Sequence, residues 1–247
     1  LQGPDGGLVP VEACPPLPDN FEVQEDEPGA IARMQAERPF KEKARKHYGE
    51  AEWRRHRWAY ARLTERVDAE IGRVLEALRE GPHAGNTVVV FTSDHGDMDG
   101  AHRMEHKTAF YEESAGVPLI IRHPALMQPG RVDREHVVSN ALDLLPTLCD
   151  FAGIERPEGL AGESLRPLVE GRQSGFRRPA IPLESELGQM VVYGEFKYAR
   201  YFEGAHPEQP HDLAADPGET RNWIADPARA EVREALRRFH REWFGLS

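Results

Sequence analysis

Residues 87–113 read TVVVFTSDHGDMDGAHRMEHKTAFYEE. Thr87 to Phe91 are β-branched or aromatic and carry no charge, a composition that favours a buried strand over a helix segment. The run ends in Thr92-Ser93-Asp94-His95-Gly96, so a carboxylate and an imidazole sit side by side at the strand's carboxyl end. Ligands of open α/β sheets bind at that end. Asp97, Asp99, His102, Glu105, His106 and Lys107 follow within a dozen residues. The same residues could form a turn, with Asp94 as a cap and Gly96 supplying a positive φ. Such polar density straight after a buried strand equally looks like a site, and these residues alone do not choose between the two readings.

Upstream, Tyr60, Leu63, Val67, Ile71, Val74 and Leu78 recur at intervals of three and four. This predicts a helix over 58–79 that packs an apolar face on the sheet, stopped by Gly81-Pro82. Residues 31–57 are basic and helix-compatible, and residues 1–30 are rich in proline and loop-like. Downstream, Val117 to Arg122 reads as a second buried strand with Pro118 at its start. Asp143 fits an N-cap with Pro146 in the first turn, Leu144, Leu145, Leu148 and Phe151 forming the apolar face and Gly153 closing the helix. From about Gly171 the composition changes. Residues 190–193 and 197–202 flank Gly194-Glu195 with hairpin spacing, and residues 211–222 form a turn-rich return. A last helix starts at Asp226-Pro227 and should bury Val232, Leu236, Phe239 and Trp243. The division expected is a connecting segment over 1–30, an α/β part over 31–175 and a small α+β subdomain over 176–247.

The 247 residues are 39% hydrophobic and 30% charged with a net charge of −11, which argues against a nucleic-acid surface. No run approaches the roughly 18 apolar residues of a membrane span. Cys14 and Cys149 are too far apart and too few for a disulfide framework or a zinc site, and Cys149 reads as core. The opening LQGPDGGLVP looks like the middle of a loop, so the expectation is a piece of a longer chain.

Thr92-Ser93-Asp94-His95-Gly96, Gly100-Ala101-His102, Lys107-Thr108, Tyr111-Glu112-Glu113-Ser114 and Val117 to Arg122, in that order, resemble the second half of the sulfatase family. That family belongs to the alkaline-phosphatase-like superfamily of metal-dependent ester hydrolases. Pro18-Asp19-Asn20-Phe21-Glu22, Ser139 to Leu148 with Phe151-Ala152-Gly153-Ile154, and the C-terminal hairpin and helix extend the resemblance from about Pro10 to the end. His211 stands where the family usually has Tyr. The fold implied is α/β: the second half of a mixed sheet sandwiched by helices, plus a small C-terminal subdomain of antiparallel strands and a closing helix. Half a sheet would expose an edge strand and apolar helix faces.

The resemblance implies a divalent cation on Asp94 and His95, commonly calcium in sulfatases. A histidine in the second place is also compatible with manganese or zinc. Lys107 maps onto the family lysine that contacts the sulfate and the leaving oxygen, which is charge stabilisation of a transferring anion. His102 is a second candidate, as proton donor, anion contact or simply a hydrogen-bonded loop histidine. Asp97, Asp99, Glu105 and His106 read as supporting or solvated, Glu112 as an orienting group and Asp143 as a cap. Two ligands fall short of the six to eight oxygens calcium takes. The family's formylglycine motif, Cys/Ser-x-Pro-x-Arg, has no counterpart here, since Cys14 is followed by Pro15-Pro16-Leu17-Pro18. The nucleophile is therefore expected upstream of Leu1, and the isolated chain is expected to be inactive without the N-terminal half of its domain. The substrate implied is a sulfated small molecule or sulfated carbohydrate. A phosphodiester or phosphonate monoester hydrolase of the same superfamily, or a non-catalytic binding or decayed domain, remains an alternative. Periplasmic or secreted localisation is a family-level expectation only.

Overall fold

The computed structural model describes residues 7–172, 176 and 178–246. After a loop with one 3-10 turn, Val11–Ala13, come α1 (Gly29–Glu37), α2 (Pro39–His47) and α3 (Glu50–Glu80). Strand β1 (Val89–Thr92) follows, then the motif loop, a one-turn α4 (Glu112–Ala115) and β2 (Leu119–Arg122). Next are α5 (Asn140–Ala152), α6 (Arg166–Val169), β3 (Ile181–Ser185), β4 (Gly188–Tyr193), β5 (Phe196–Tyr201) and β6 (Glu208–Asp212). A 3-10 turn (Pro227–Arg229) leads into α7 (Ala230–Phe244). No helix among the described residues is long and apolar enough to cross a membrane.

The chain divides into two compact units. The first contains residues 1–70, 95–116 and 182–247 and is organised on the four-stranded sheet β3-β4-β5-β6. β4 and β5 form the hairpin expected, joined through Gly194-Glu195, with Tyr193 opposite Phe196. β6 pairs antiparallel with β5, so part of the turn-rich return is a strand. Its proline, Pro210, is tolerated because β6 is an edge. Alternation along β5 separates two faces. Ala199 and Tyr201 join Met190, Ile31, Met34 and the motif-loop residues Met98, Met104, Phe110 and Tyr111 in one core. On the other face Tyr198 and Val191 pack with Leu236 of α7 and with Trp223 from the loop before it, flanked by Phe196, Val232 and Phe244. Asp226 caps the 3-10 turn by accepting from the Ala228 N–H at 3.0 Å. Trp243 is half exposed and not core, because Leu236 and His240 are the positions that α7 buries.

The second unit contains residues 71–94 and 117–181. β1 and β2 pair antiparallel, Val89 opposite Arg122 and Thr92 opposite Leu119. Both strands start two residues later than expected, and neither is fully buried. Leu119 and Ile121 pack on Leu165, Leu168 and Phe176, while Phe91 and Ile120 are exposed. The expectation of fully buried strands fails because, among the described residues, this sheet has only two strands.

Helix α3 ends before Gly81 as expected but begins at Glu50. Its apolar stripe is real and yet uncovered: Leu63 and Val67 are each 58% exposed and Val74 is 69% exposed. Among its described residues only Trp53 is buried. The periodicity was a sound guide to helix and a poor guide to burial, since no described element covers that face. This matches the apolar helix faces expected for half a sheet.

In α5 the cap is Ser139, not Asp143: its Oγ accepts the Leu142 N–H. Asp143 is fully buried, and Arg178 donates to it through both terminal nitrogens at 2.7 and 2.6 Å. It also accepts from the backbone N–H of Ser139 and Glu163, at 2.8 and 2.9 Å. Pro146 lies inside the helix, so the Leu142 carbonyl has no i+4 donor. The next segment closes on that gap, and a Cβ at Gly162 would fall 1.7 Å from the Leu142 oxygen. The helix therefore buries Asp143, Pro146, Thr147 and Cys149, leaving Leu145 and Leu148 exposed. Both cysteines are buried free thiols.

Candidate active site

The motif loop lies in the first unit, anchored by its ends. The Gly96 N–H donates to the Ser114 carbonyl at 2.8 Å. A Cβ on Gly96 would sit 2.0 Å from the Glu113 oxygen, so glycine is required there by close backbone approach. Gly96 is absent from the residues with positive φ, which corrects the turn reading. Within the loop, Met98 donates to the His106 carbonyl at 2.7 Å and Gly100 to Met104 at 2.9 Å. Buried Met98, Ala101, Met104, Ala109, Phe110 and Tyr111 drive the loop onto the sheet. Between them Asp99, His102, Arg103, His106 and Thr108 all take positive φ. Asp and His tolerate that region better than most residues, whereas a β-branched residue does not. Thr108, at φ 102° beside Lys107, is the strained position, and backbone strain of about 1–3 kcal/mol concentrates at functional sites.

His95 and Lys107, twelve residues apart, are brought together: Lys107 Nζ is 2.6 Å from His95 Nε2. His95 Nδ1 is 2.8 Å from the Gly96 carbonyl, which can only accept. Nδ1 therefore carries the proton, and Nε2 offers its lone pair to the lysine or to a cation. Lys107 is exposed and His95 partly so. Asp94 closes the β1 segment of the second unit, exposed, with the Ser93 hydroxyl 3.3 Å from its Oδ1. Among the described residues no group of three or more His, Cys, Asp or Glu side chains could hold a metal ion. Asp94 and His95 are donors of a suitable kind but too few for a complete cation site.

His102 is placed elsewhere, in the interior. Its ring stacks on Tyr111 at 3.9 Å, and Nε2 lies 3.4 Å from the Asn20 amide. Burial pushes its pKa down to about 4, so the ring is neutral at pH 7. Among the supporting side chains Asp97, Asp99 and His106 each have a partner, whereas Glu105 Oε1 is buried without a hydrogen bond. Asp97 accepts from the Asp99 N–H at 2.9 Å, Asp99 pairs with Arg57 at 3.0 Å, and His106 lies edge-on to Phe40 at 5.2 Å. The Glu105 carbonyl accepts from buried Lys41 at 3.1 Å.

Sequence reasoning missed the cluster beneath the loop. Lys197 of β5, 1% exposed, lies 2.5 Å from Glu219 and 3.0 Å from Glu112. Glu219, fully buried, accepts the Glu112 N–H at 2.5 Å. Asn20 donates to Glu113 at 2.7 Å and to the Gly218 carbonyl at 3.0 Å. Burial pushes Glu219 up to about 7, against the pull of Lys197, and pushes His211 down to about 3. The one available signal was a lysine on the same strand face as Ala199 and Tyr201. Its carboxylate partners stand 85 residues before it and 22 residues after it.

The Sulfatase family profile matches residues 9–154. The chain belongs to the sulfatase family. A second profile, described as N-sulphoglucosamine sulphohydrolase, C-terminal, matches residues 100–242. A Delta 4,5-hexuronate-2-O-sulfatase of Bacteroides thetaiotaomicron is 35% identical over 229 residues, 88% of this chain and 47% of that one. The solved structure of a 2-O GAG sulfatase superposes with a TM-score of 0.86 at 32% identity, over 96% of this chain and 52% of the other. A phosphonate monoester hydrolase of Agrobacterium radiobacter gives a TM-score of 0.69 at 28% identity, covering 93% and 50%. The chain thus spans about half the length of the sulfatases it matches, and the alkaline-phosphatase-like fold class expected for it is the fold of those neighbours.

Proposed function

We propose that this chain is the C-terminal part of a metal-dependent sulfatase that hydrolyses sulfate esters. The observation that carries the reading is the Lys107–His95 pair, 2.6 Å apart on a loop bound at both ends to a packed core. Lys107 would place its ammonium against the sulfate and the leaving oxygen, where charge develops as the S–O bond breaks. Asp94 and His95 would contribute to holding a divalent cation, calcium first and manganese or zinc as alternatives. Such a cation supplies Lewis-acid polarisation of the ester oxygens. Its other ligands, and the formylglycine nucleophile, are assigned to the length of the relatives that this chain does not span. The exposed stripe of α3 supports packing against such an N-terminal half. His102, neutral and buried, is given the lesser role of a hydrogen-bonding group that holds the loop.

Similarity to a hexuronate 2-O-sulfatase and a 2-O GAG sulfatase supports a sulfated carbohydrate as substrate, and periplasmic or secreted localisation is proposed with it. The test is made in the full-length protein with Lys107→Ala, assayed on a 2-O-sulfated unsaturated uronate disaccharide and on an aryl sulfate. Loss of one oxyanion-stabilising group should lower kcat about 10²–10³-fold, and activity within a factor of three of the parent would overturn the assignment. The isolated chain should show no turnover.

A second reading is favoured by the likeness to the phosphonate monoester hydrolase. Faster cleavage of a phosphonate monoester than of any sulfate ester would select it. Full-length protein inactive on both classes would leave the non-catalytic alternative.

A further inference from the structure

A polar cleft of about 270 Å³ lies between α7 and the β5–β6 edge, in the first unit and on the sheet face opposite the motif loop. Two of its charges are already spent on a third. Arg237 donates to Glu208 through Nε at 2.6 Å and Nη2 at 2.9 Å, and to Glu234 at 2.6 Å. The Tyr198 hydroxyl donates to Glu208 at 2.8 Å. Both carboxylates of the cleft are therefore partnered from within it.

Arg200 of β5 and Arg241 of α7 also line the cleft, and among the described residues neither guanidinium has a carboxylate within ion-pair distance. Between these elements His240 is 1% exposed, and its Nε2 is buried with no hydrogen-bond partner. Its ring is fixed by Tyr198, edge-on at 5.5 Å, and by Phe244 at 5.0 Å. A buried polar nitrogen left unpaired is unfavourable unless something satisfies it. Two unspent guanidiniums beside it, in a chain of net charge −11, make a local positive focus.

We propose that this cleft is an oxyanion-binding site, taking a sulfate group either free or as an ester on a sugar, held by Arg200 and Arg241 with His240 at its floor. Planar guanidinium forks suit tetrahedral oxyanions. The volume is just below that of pockets for drug-sized ligands, so the cleft suits an anion or a single sulfated sugar unit and not a longer chain. The groups facing His240 are Tyr198 and Arg200 of β5, Glu208 of β6, and Arg237 and Arg241 of α7. Burial, then Arg200 and Arg241, pushes the imidazole down to about 4. A dianion in the cleft would offset the two arginines and move that titration upward. The site is independent of the Lys107 reading, and its test does not use activity.

The experiment is an NMR titration of the protein following the His240 ring nitrogens, with sodium sulfate, glucosamine 6-sulfate and glucosamine at constant ionic strength. Saturable shifts with either sulfated probe and none with glucosamine support the site. Equal affinity for the two sulfated probes identifies a free-anion site, and tighter binding of the sulfated sugar identifies a glycan subsite. Arg200→Gln with Arg241→Gln should weaken binding at least tenfold, whereas Arg238→Gln, on the same helix but outside the cleft, should not change it. All three positions are exposed, so these variants should retain the fold, which circular dichroism checks. No saturable shift with sulfate, or equal binding in the double variant, overturns the proposal, as does binding of glucosamine alone. Lys107→Ala should leave the His240 response intact, so failure of the catalytic reading is distinguishable from failure of this one.

Discussion

Replacing Lys197 by Met would remove the cation at the centre of the cluster under the motif loop. The lysine is 2.5 Å from Glu219 and 3.0 Å from Glu112, and both Lys197 and Glu219 are sealed from solvent. Breaking a buried pair on one side costs about 3–5 kcal/mol, because the remaining charge stays buried. Here the carboxylate has an escape. Burial already raises Glu219 to about 7, and loss of Lys197 raises it further, so below neutrality it takes a proton. At pH 5.5 the loss then falls to that of a hydrogen bond to a charged group, about 1.5–3 kcal/mol. At pH 8.5 the variant must bury an unpaired charge or protonate Glu219 at about 1.4 kcal/mol per pH unit. In the parent the sign is the same. The folded pKa exceeds the unfolded value near 4.5, so Glu219 contributes stability below pH 4.5 that is lost as pH rises through about 7. Urea unfolding read from buried Trp53 and Trp223 at the two pH values measures both effects. A loss below about 1 kcal/mol at both, or no difference between them, would refute the reasoning. Lys197→Met with Glu219→Gln should recover much of the alkaline loss.

Gly96→Ala should destabilise the first unit by 2 kcal/mol or more, on the order of other severe backbone clashes, since its Cβ meets backbone oxygen at 2.0 Å; an unchanged Tm would count against the close approach. Arg178→Leu leaves the buried Asp143 carboxylate with only its backbone donors and should cost about 3–5 kcal/mol, checked by denaturant unfolding against Arg178→Lys, which keeps the charge but not the fork. On the acid side, His102 and His211 are held down to about 4 and 3, below an unfolded value near 6.5. The stability they contribute is therefore complete above pH 6.5 and is lost as pH falls toward 3–4, roughly 3–5 kcal/mol for each. His211→Phe should flatten the acid limb of a stability–pH curve, and an unaltered limb would show that the ring titrates freely.

The motif was legible because chemistry and local structure coincide there: an uncharged β-branched run, a polar strand end, and a spaced His and Lys that the fold brings to 2.6 Å. The hairpin at Gly194-Glu195 and the C-terminal ends of α3 and α5 were legible from turn and cap chemistry, which acts over a few residues, whereas the start of α3 and the N-cap of α5 were not. Burial was not. The stripe on α3 has helical period and is exposed, while Leu145 and Leu148 gave way to Asp143, Thr147 and Pro146 as the buried side of α5. A period says which residues share a face, and only a neighbour decides whether that face is covered.

What the sequence determined by itself is the run of elements from the long helix through α5, the β4–β5 hairpin and the last helix, the stretch carrying Asp94, His95 and Lys107, and the family. Each depends on residues close together in the chain. Tertiary structure alone decided that Lys197 meets Glu112 and Glu219, that Arg178 closes on Asp143, that His102 is an interior ring, and that Arg200, Arg241 and His240 share a cleft. The partners in those meetings stand from 22 to 85 positions apart, and a buried charge is stable only where the fold delivers its partner.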